Sequence, residues 1–228
     1  MTEIKIHQFE NQKLEYLEVK NKAKKAIVLL HGYGANMNDL FDLNYYLDPD
    51  GNYDFYFPDG ILKLEMGMGY AGRAWFPIDM AEVERYMQRG KFRDFSEAIP
   101  VGLENALDIL KNFLEAKLGE YEEIVLGGFS QGAMISSLLL SHFAGKINRG
   151  ILFSGNLIAE KCLKDSNLEK LNFIQSHGEQ DPILGMQGAR ALFSQLEELG
   201  AQGEFVAFTG GHEIPMNMIE ATKKFLLK

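Results

Sequence analysis

The pentapeptide Gly128-Phe129-Ser130-Gln131-Gly132 closes an apolar run, EIVLGGF (123–129), and opens a segment that is apolar nearly all round (131–143). A serine between a strand and a helix, with glycine two before and two after, marks a turn so tight that its flanks must be small. Such a turn lifts the serine Oγ above the sheet, where it can attack a carbonyl. A Gly-rich turn with a capping serine uses the same residues, so partners must decide. A serine hydroxyl becomes a nucleophile when a base takes its proton, and the base needs an acid to orient it. His212, in Gly210-Gly211-His212-Glu213, follows the run EFVAF (204–208) and is the only histidine after His177. Asp181, in His177-Gly178-Glu179-Gln180-Asp181-Pro182, follows the run NFIQS (172–176), with Glu179 as a rival acid. Serine, acid and histidine in that order, each just past a strand end, converge on one edge of a sheet.

Acyl transfer also needs N–H donors for the developing oxyanion. The N–H of Gln131 at the start of the helix is one, assisted by the helix dipole. The second is the N–H of Tyr33, in His31-Gly32-Tyr33-Gly34 after the run AIVLL (26–30). His31 is a further candidate base, but its place in the turn suits it better to supporting the loop. Gly67-Met68-Gly69-Tyr70-Ala71-Gly72 spells a dinucleotide fingerprint, yet Pro77 follows five residues on where a helix should run, so that reading fails. Cys162 has no base motif beside it and reads as an inert thiol. Five scattered histidines lack metal-ligand spacing, so no metal and no cofactor are expected.

The elements that must position these residues alternate. Period-2 segments at 4–9 and 14–19 read as an N-terminal hairpin, and apolar runs at 26–30, 53–57, 123–129, 150–154, 172–176 and 204–208 read as strands. Helical patterns fill 101–118, 131–143, 187–199 and 215–227. Alternation of this kind implies parallel βαβ units with an antiparallel edge, an α/β fold in one domain over 1–228. Residues 61–95 resist the pattern, with three glycines before Pro77 and at most one short helix near 80–88, and read as a lid-like insertion. Its Met66, Met68, Trp75 and Phe76 are candidates to bind an acyl group, with packing against the body as the alternative for Trp75 and Phe76.

Composition excludes other classes. At 228 residues, 46% hydrophobic and 24% charged, the chain can bury roughly 70% of its unfolded surface in one core. A single cysteine allows no internal disulfide, and a net charge of −9 without a sustained basic run argues against nucleic acid. No apolar run approaches the roughly 20 residues of a membrane span. The N-terminal segment lacks the features of a secretory signal, so a cytoplasmic location is expected.

Together LHGYGA (30–35), GRAWF (72–76), GFSQGAM (128–134), HGEQDPI (177–183) and GGHEIP (210–215) resemble the phospholipase/carboxylesterase family of α/β hydrolases, which includes the acyl-protein thioesterases. The resemblance implies an α/β-hydrolase fold, Ser130, Asp181 and His212 as a triad, and Tyr33 and Gln131 as oxyanion donors. It also implies cofactor-free hydrolysis of carboxylic ester or thioester bonds. A carboxylesterase acting on small to medium acyl substrates is the leading expectation, as a monomer or homodimer. A thioesterase or lysophospholipase is the alternative, and a non-catalytic binding module on the same fold is the second.

Overall fold

In the computed structural model, which describes residues 3–10, 13–65, 71–163 and 166–228, the apolar runs are strands with both faces covered. In β3 (Lys25–Leu30), Ala26, Val28 and Leu30 join one core cluster while Ile27 and Leu29 join another. In β7 (Glu123–Phe129), Ile124 and Leu126 divide from Val125 in the same way. Strands without a solvated face belong in the middle of a parallel sheet, and these two pair in parallel.

The remaining strands of the eight-stranded sheet are β1 (Glu3–Phe9), β2 (Leu14–Lys20), β4 (Tyr53–Pro58), β8 (Arg149–Phe153), β9 (Asn172–Gly178) and β10 (Gln202–Phe208). Their order is β1-β2-β4-β3-β7-β8-β9-β10. The β1–β2 and β2–β4 pairings are antiparallel and the others parallel. The expected antiparallel edge is therefore present, and all parallel strands discharge their carboxyl ends on one side. Helices cover both faces. The helices α3 (Leu103–Leu118), α4 (Gln131–His142) and α5 (Met186–Glu198) supply the first cluster, whereas α1 (Leu43–Leu47) and α6 (Met216–Leu226) supply the second. Every residue of α4 from Gln131 to Ser141 is buried. At about 1.5–3 kcal/mol for each fully buried large aliphatic side chain, its leucines make α4 a fixed mount for whatever precedes it.

The insertion is more ordered than its sequence suggests. β5 (Leu62–Glu65) and β6 (Ala71–Ala74) form a separate antiparallel hairpin, followed by the expected short helix, α2 (Met80–Gln88). Asp79 caps α2, its Oδ1 accepting the Glu82 N–H at 3.0 Å. The hairpin is illegible in sequence because Ala-Gly-Arg-Ala has no strand preference; backbone pairing holds it. Arg73 fastens it to the loop after β3: its N–H donates to the Ala35 carbonyl at 2.7 Å and its carbonyl accepts the Gly34 N–H at 2.8 Å. The Arg73 guanidinium also reaches Glu15 at 2.7 Å and Asp59 at 3.0 Å. Met66 and Met68 lie outside the described residues. Among the described residues no helix is long and apolar enough to cross a membrane.

Candidate active site

β7 ends at Phe129 and α4 begins at Gln131, so the chain must reverse within Ser130. It does so at φ 54° and ψ −118°, a conformation that costs an L-residue on the order of 1–3 kcal/mol and survives only where neighbours enforce it. They do: the Ser130 N–H donates to the Phe153 carbonyl at 2.9 Å and its carbonyl accepts the Met134 N–H at 3.0 Å. A Cβ on Gly128 would lie 2.5 Å from the Leu30 carbonyl oxygen, and one on Gly132 would overlap the same group. The two glycines let strand, turn and helix pack this closely.

Asp181 and His212 arrive on adjacent loops because β9 and β10 pair in parallel. The loops are stitched by Glu179 N–H to the Phe208 carbonyl and Gln180 N–H to the Gly210 carbonyl, each 2.9 Å. Gly178 lies so close to Gly210 and Gly211 that no side chain fits there. His212 Nδ1–H then donates to Asp181 Oδ2 at 2.6 Å, and Ser130 Oγ–H donates to His212 Nε2 at 2.8 Å. The carboxylate fixes this direction: it only accepts, so the ring proton sits on Nδ1 and Nε2 is free to accept.

Asp181 Oδ1 accepts the N–H groups of Ile183 at 2.8 Å and Leu184 at 2.9 Å. Burial by itself would raise the Asp181 pKa, but the hydrogen bond and charge of His212 and these N–H groups outweigh it and hold the carboxyl below its ordinary value. Glu179, the rival acid, is exposed and accepts from Thr209 Oγ1 at 3.4 Å. Behind Asp181, burial lowers the pKa of His177, whose Nε2–H donates to the Leu184 carbonyl at 2.7 Å.

His31 stands apart from this chain of bonds. Its Nδ1–H donates to the Gly32 carbonyl at 2.7 Å and its Nε2 accepts the Gly60 N–H at 2.8 Å, so the buried ring braces the loop. Trp75 adds a second brace, Nε1–H to the His31 carbonyl at 2.9 Å. The Gln131 side chain accepts the Trp75 N–H at 3.0 Å and donates to the Phe76 carbonyl at 2.8 Å. Trp75 and Phe76 are 0% exposed and belong to the core. Where the sequence offered them as acyl-pocket walls, the structure places them beneath the site, fastening the insertion to the elbow and the 31–35 loop.

A cavity of about 230 Å³ opens beside Ser130 and His212, with Tyr33, Gln131, Ile78, Val83, Phe95, Met134, Ile183 and Leu184 among its walls. Backbone N–H groups of Tyr33 and Gln131 donate to no protein acceptor among the described residues. The walls Ile78, Val83, Phe95 and Leu184 were not singled out by sequence reasoning. Met134 had a signal: it lies one helical turn beyond Ser130 and therefore beneath it. A larger groove of about 450 Å³ on the far side of Phe95 includes neither Ser130 nor His212. No cluster of His, Cys, Asp or Glu disposed to hold a metal occurs among the described residues.

A serine, a histidine and an ionised aspartate bonded in series at a cavity is an arrangement able to pass a proton from Oγ to imidazole. Comparison with known proteins finds hydrolases. The sequence profile of the phospholipase/carboxylesterase family matches residues 11–228. Acyl-protein thioesterase 1 homolog 1 of Dictyostelium discoideum is 32% identical over 123 residues, a match that spans 53% of this chain and 54% of that protein. Acyl-protein thioesterase 1 of Kluyveromyces lactis is 25% identical over 222 residues, covering 90% of this chain and 92% of that protein. Among solved structures, esterase PE8 superposes with a TM-score of 0.71 at 27% identity, over 90% of this chain and 92% of its own. With the sheet order, the elbow and a family match over nearly its whole length, the chain belongs to the phospholipase/carboxylesterase family of α/β hydrolases.

Proposed function

We propose that this hydrolase is a serine carboxylesterase for short to medium acyl groups. Ser130 is the nucleophile, His212 the base that takes its proton and later returns it to the leaving group, and Asp181 the acid that fixes the imidazole. The Tyr33 and Gln131 N–H groups receive the oxyanion, water releases the acyl group from Ser130, and no cofactor takes part. The observation that carries this reading is the continuous pair of bonds from Ser130 through His212 to Asp181, at 2.8 and 2.6 Å. Chain length follows from space: about 230 Å³ with mostly apolar walls falls below the roughly 300–1,000 Å³ of drug-sized ligand sites.

The relatives' names favour a second reading, an acyl-protein thioesterase. Turnover of a series of 4-nitrophenyl esters and matching thioesters from acetyl to palmitoyl separates the readings. Carboxylesterase action gives the highest kcat/KM for oxygen esters with acyl chains of about four to eight carbons. A maximum at palmitoyl thioester transfers the assignment to the second reading, and no turnover of any member leaves a binding module.

A further inference from the structure

One carboxylate interrupts the apolar surround of the Ser130 cavity. Asp39 borders it alongside Ile78, Val83 and Met134, and no lysine or arginine lines it among the described residues. Asp39 lies in the loop beyond the 31–35 turn, its N–H donating to the Asn36 carbonyl at 2.9 Å. Other acids near this end are engaged: Asp59 with Arg73 at 3.0 Å and Asp181 with His212 at 2.6 Å. The Asp39 carboxylate has no hydrogen bond or ion pair among the described residues. Partial desolvation raises its pKa. Asp39 is solvent-exposed where it borders the cavity, and an unpaired carboxylate at the mouth of a ligand cavity attracts a cation that a ligand brings.

We infer that Asp39 is a specificity-determining residue that selects esters carrying a positively charged substituent near the scissile bond over their neutral isosteres. The inference rests on the hydrolase reading above. The charge can sit on either side of the scissile bond, so the test uses two shape-matched pairs. The first is a choline ester against the 3,3-dimethylbutyl ester of the same acid. The second is a 4-(trimethylammonio)butyrate ester against the 5,5-dimethylhexanoate ester of the same alcohol.

In at least one pair the wild-type chain should show a higher kcat/KM for the cationic member. Asp39→Asn should lower that ratio about threefold to fivefold, a modest effect because the carboxylate is solvent-exposed. Asp39→Glu, which keeps the charge, should restore most of it, and Asp39→Lys should invert it. Equal ratios in wild type and Asp39→Asn for both pairs, with neutral esters still turned over, overturn the inference and leave the hydrolase reading standing. No turnover of any ester by the wild type removes the hydrolase reading and this inference with it.

Discussion

Two buried polar chains run through this molecule at opposite ends of the sheet, and they differ in how they terminate. At the amino ends of β4 and β7, Asp54 is fully buried and accepts the N–H groups of Asn21 at 2.7 Å and Ala23 at 3.1 Å. Its other oxygen accepts from Tyr121 Oη at 2.7 Å, which in turn accepts from Lys20 Nζ at 2.7 Å and bonds Tyr56 Oη at 2.6 Å. Lys117 Nζ sits 4.6 Å from the centre of the Tyr56 ring. At the carboxyl ends, Asp181 is likewise held by two backbone N–H groups and hands on to His212 and Ser130. The first network closes on itself, its hydroxyls, ammonium and carboxylate bonded to one another. The second ends at a serine held at φ 54° beside a cavity. A buried polar network marks chemistry where its last atom is left free to reach a ligand; otherwise it is structure.

The sharpest way to break that contrast is at the free end. Ser130→Ala and His212→Ala should each lower kcat by about 10³ or more with the fold retained, and the double variant should be barely worse, since nucleophile and base act as a unit. Esterase kinetics with circular dichroism checks both halves of this expectation. Asp181→Asn should cost up to about 10³–10⁴ by favouring the wrong imidazole tautomer, whereas Glu179→Gln should change kcat less than about twofold. A reversed order of penalties would reassign the acid.

The closed network and the core beneath the site should answer in stability instead. Trp75→Ala removes a wholly buried indole and should cost about 3–5 kcal/mol, lowering Tm by roughly 10 °C. The ratio of kcat/KM between short and medium acyl esters should stay put, and a shift in that ratio would return Trp75 to the acyl site. Tyr121→Phe should cost about 1–3 kcal/mol by removing the hydroxyl that bonds Asp54, Lys20 and Tyr56, with kcat/KM untouched. The smallest effect is in pH. His177 and Asp181 both have pKa values below their ordinary ones, so the folded state binds these protons less readily than the unfolded chain. The stability they contribute is full above the unfolded values, about 6.5 for His and 3.9 for Asp, and is lost as pH falls through the folded ones. Urea unfolding at pH 7 and pH 5 should therefore show a smaller pH-dependent loss in His177→Gln than in the wild type.

Much of this arrangement is legible in the sequence because strand ends and chemistry coincide there. The runs before Ser130, Asp181 and His212 are unambiguous apolar strands, and the glycines at 128, 132, 178, 210 and 211 stand where the backbones crowd. The position of β4 between β2 and β3 is not legible, since pairings between residues so far apart in sequence, such as Lys25 with Tyr53 and Tyr16 with Pro58, leave no local trace. Nor is the five-residue α1, nor the β5–β6 hairpin: Leu62-Lys63-Leu64-Glu65 alternates for only four residues and Ala-Gly-Arg-Ala has no strand preference. Trp75 and Phe76 are ambiguous in the sequence for a physical reason. Aromatic residues beside a catalytic motif have the same composition whether they face a ligand or the core, and only the placement of Gln131 and His31 against them decides.

An activated nucleophile at Ser130 can be detected by covalent labelling without knowledge of the substrate. A fluorophosphonate probe added to the wild-type chain should give one adduct by intact-mass measurement, mapped to Ser130 by peptide sequencing. Ser130→Ala should give none, and His212→Ala should label far more slowly. A wild-type chain that stays unmodified under conditions that label a control serine esterase, or an adduct that maps to any residue other than Ser130, would contradict the account.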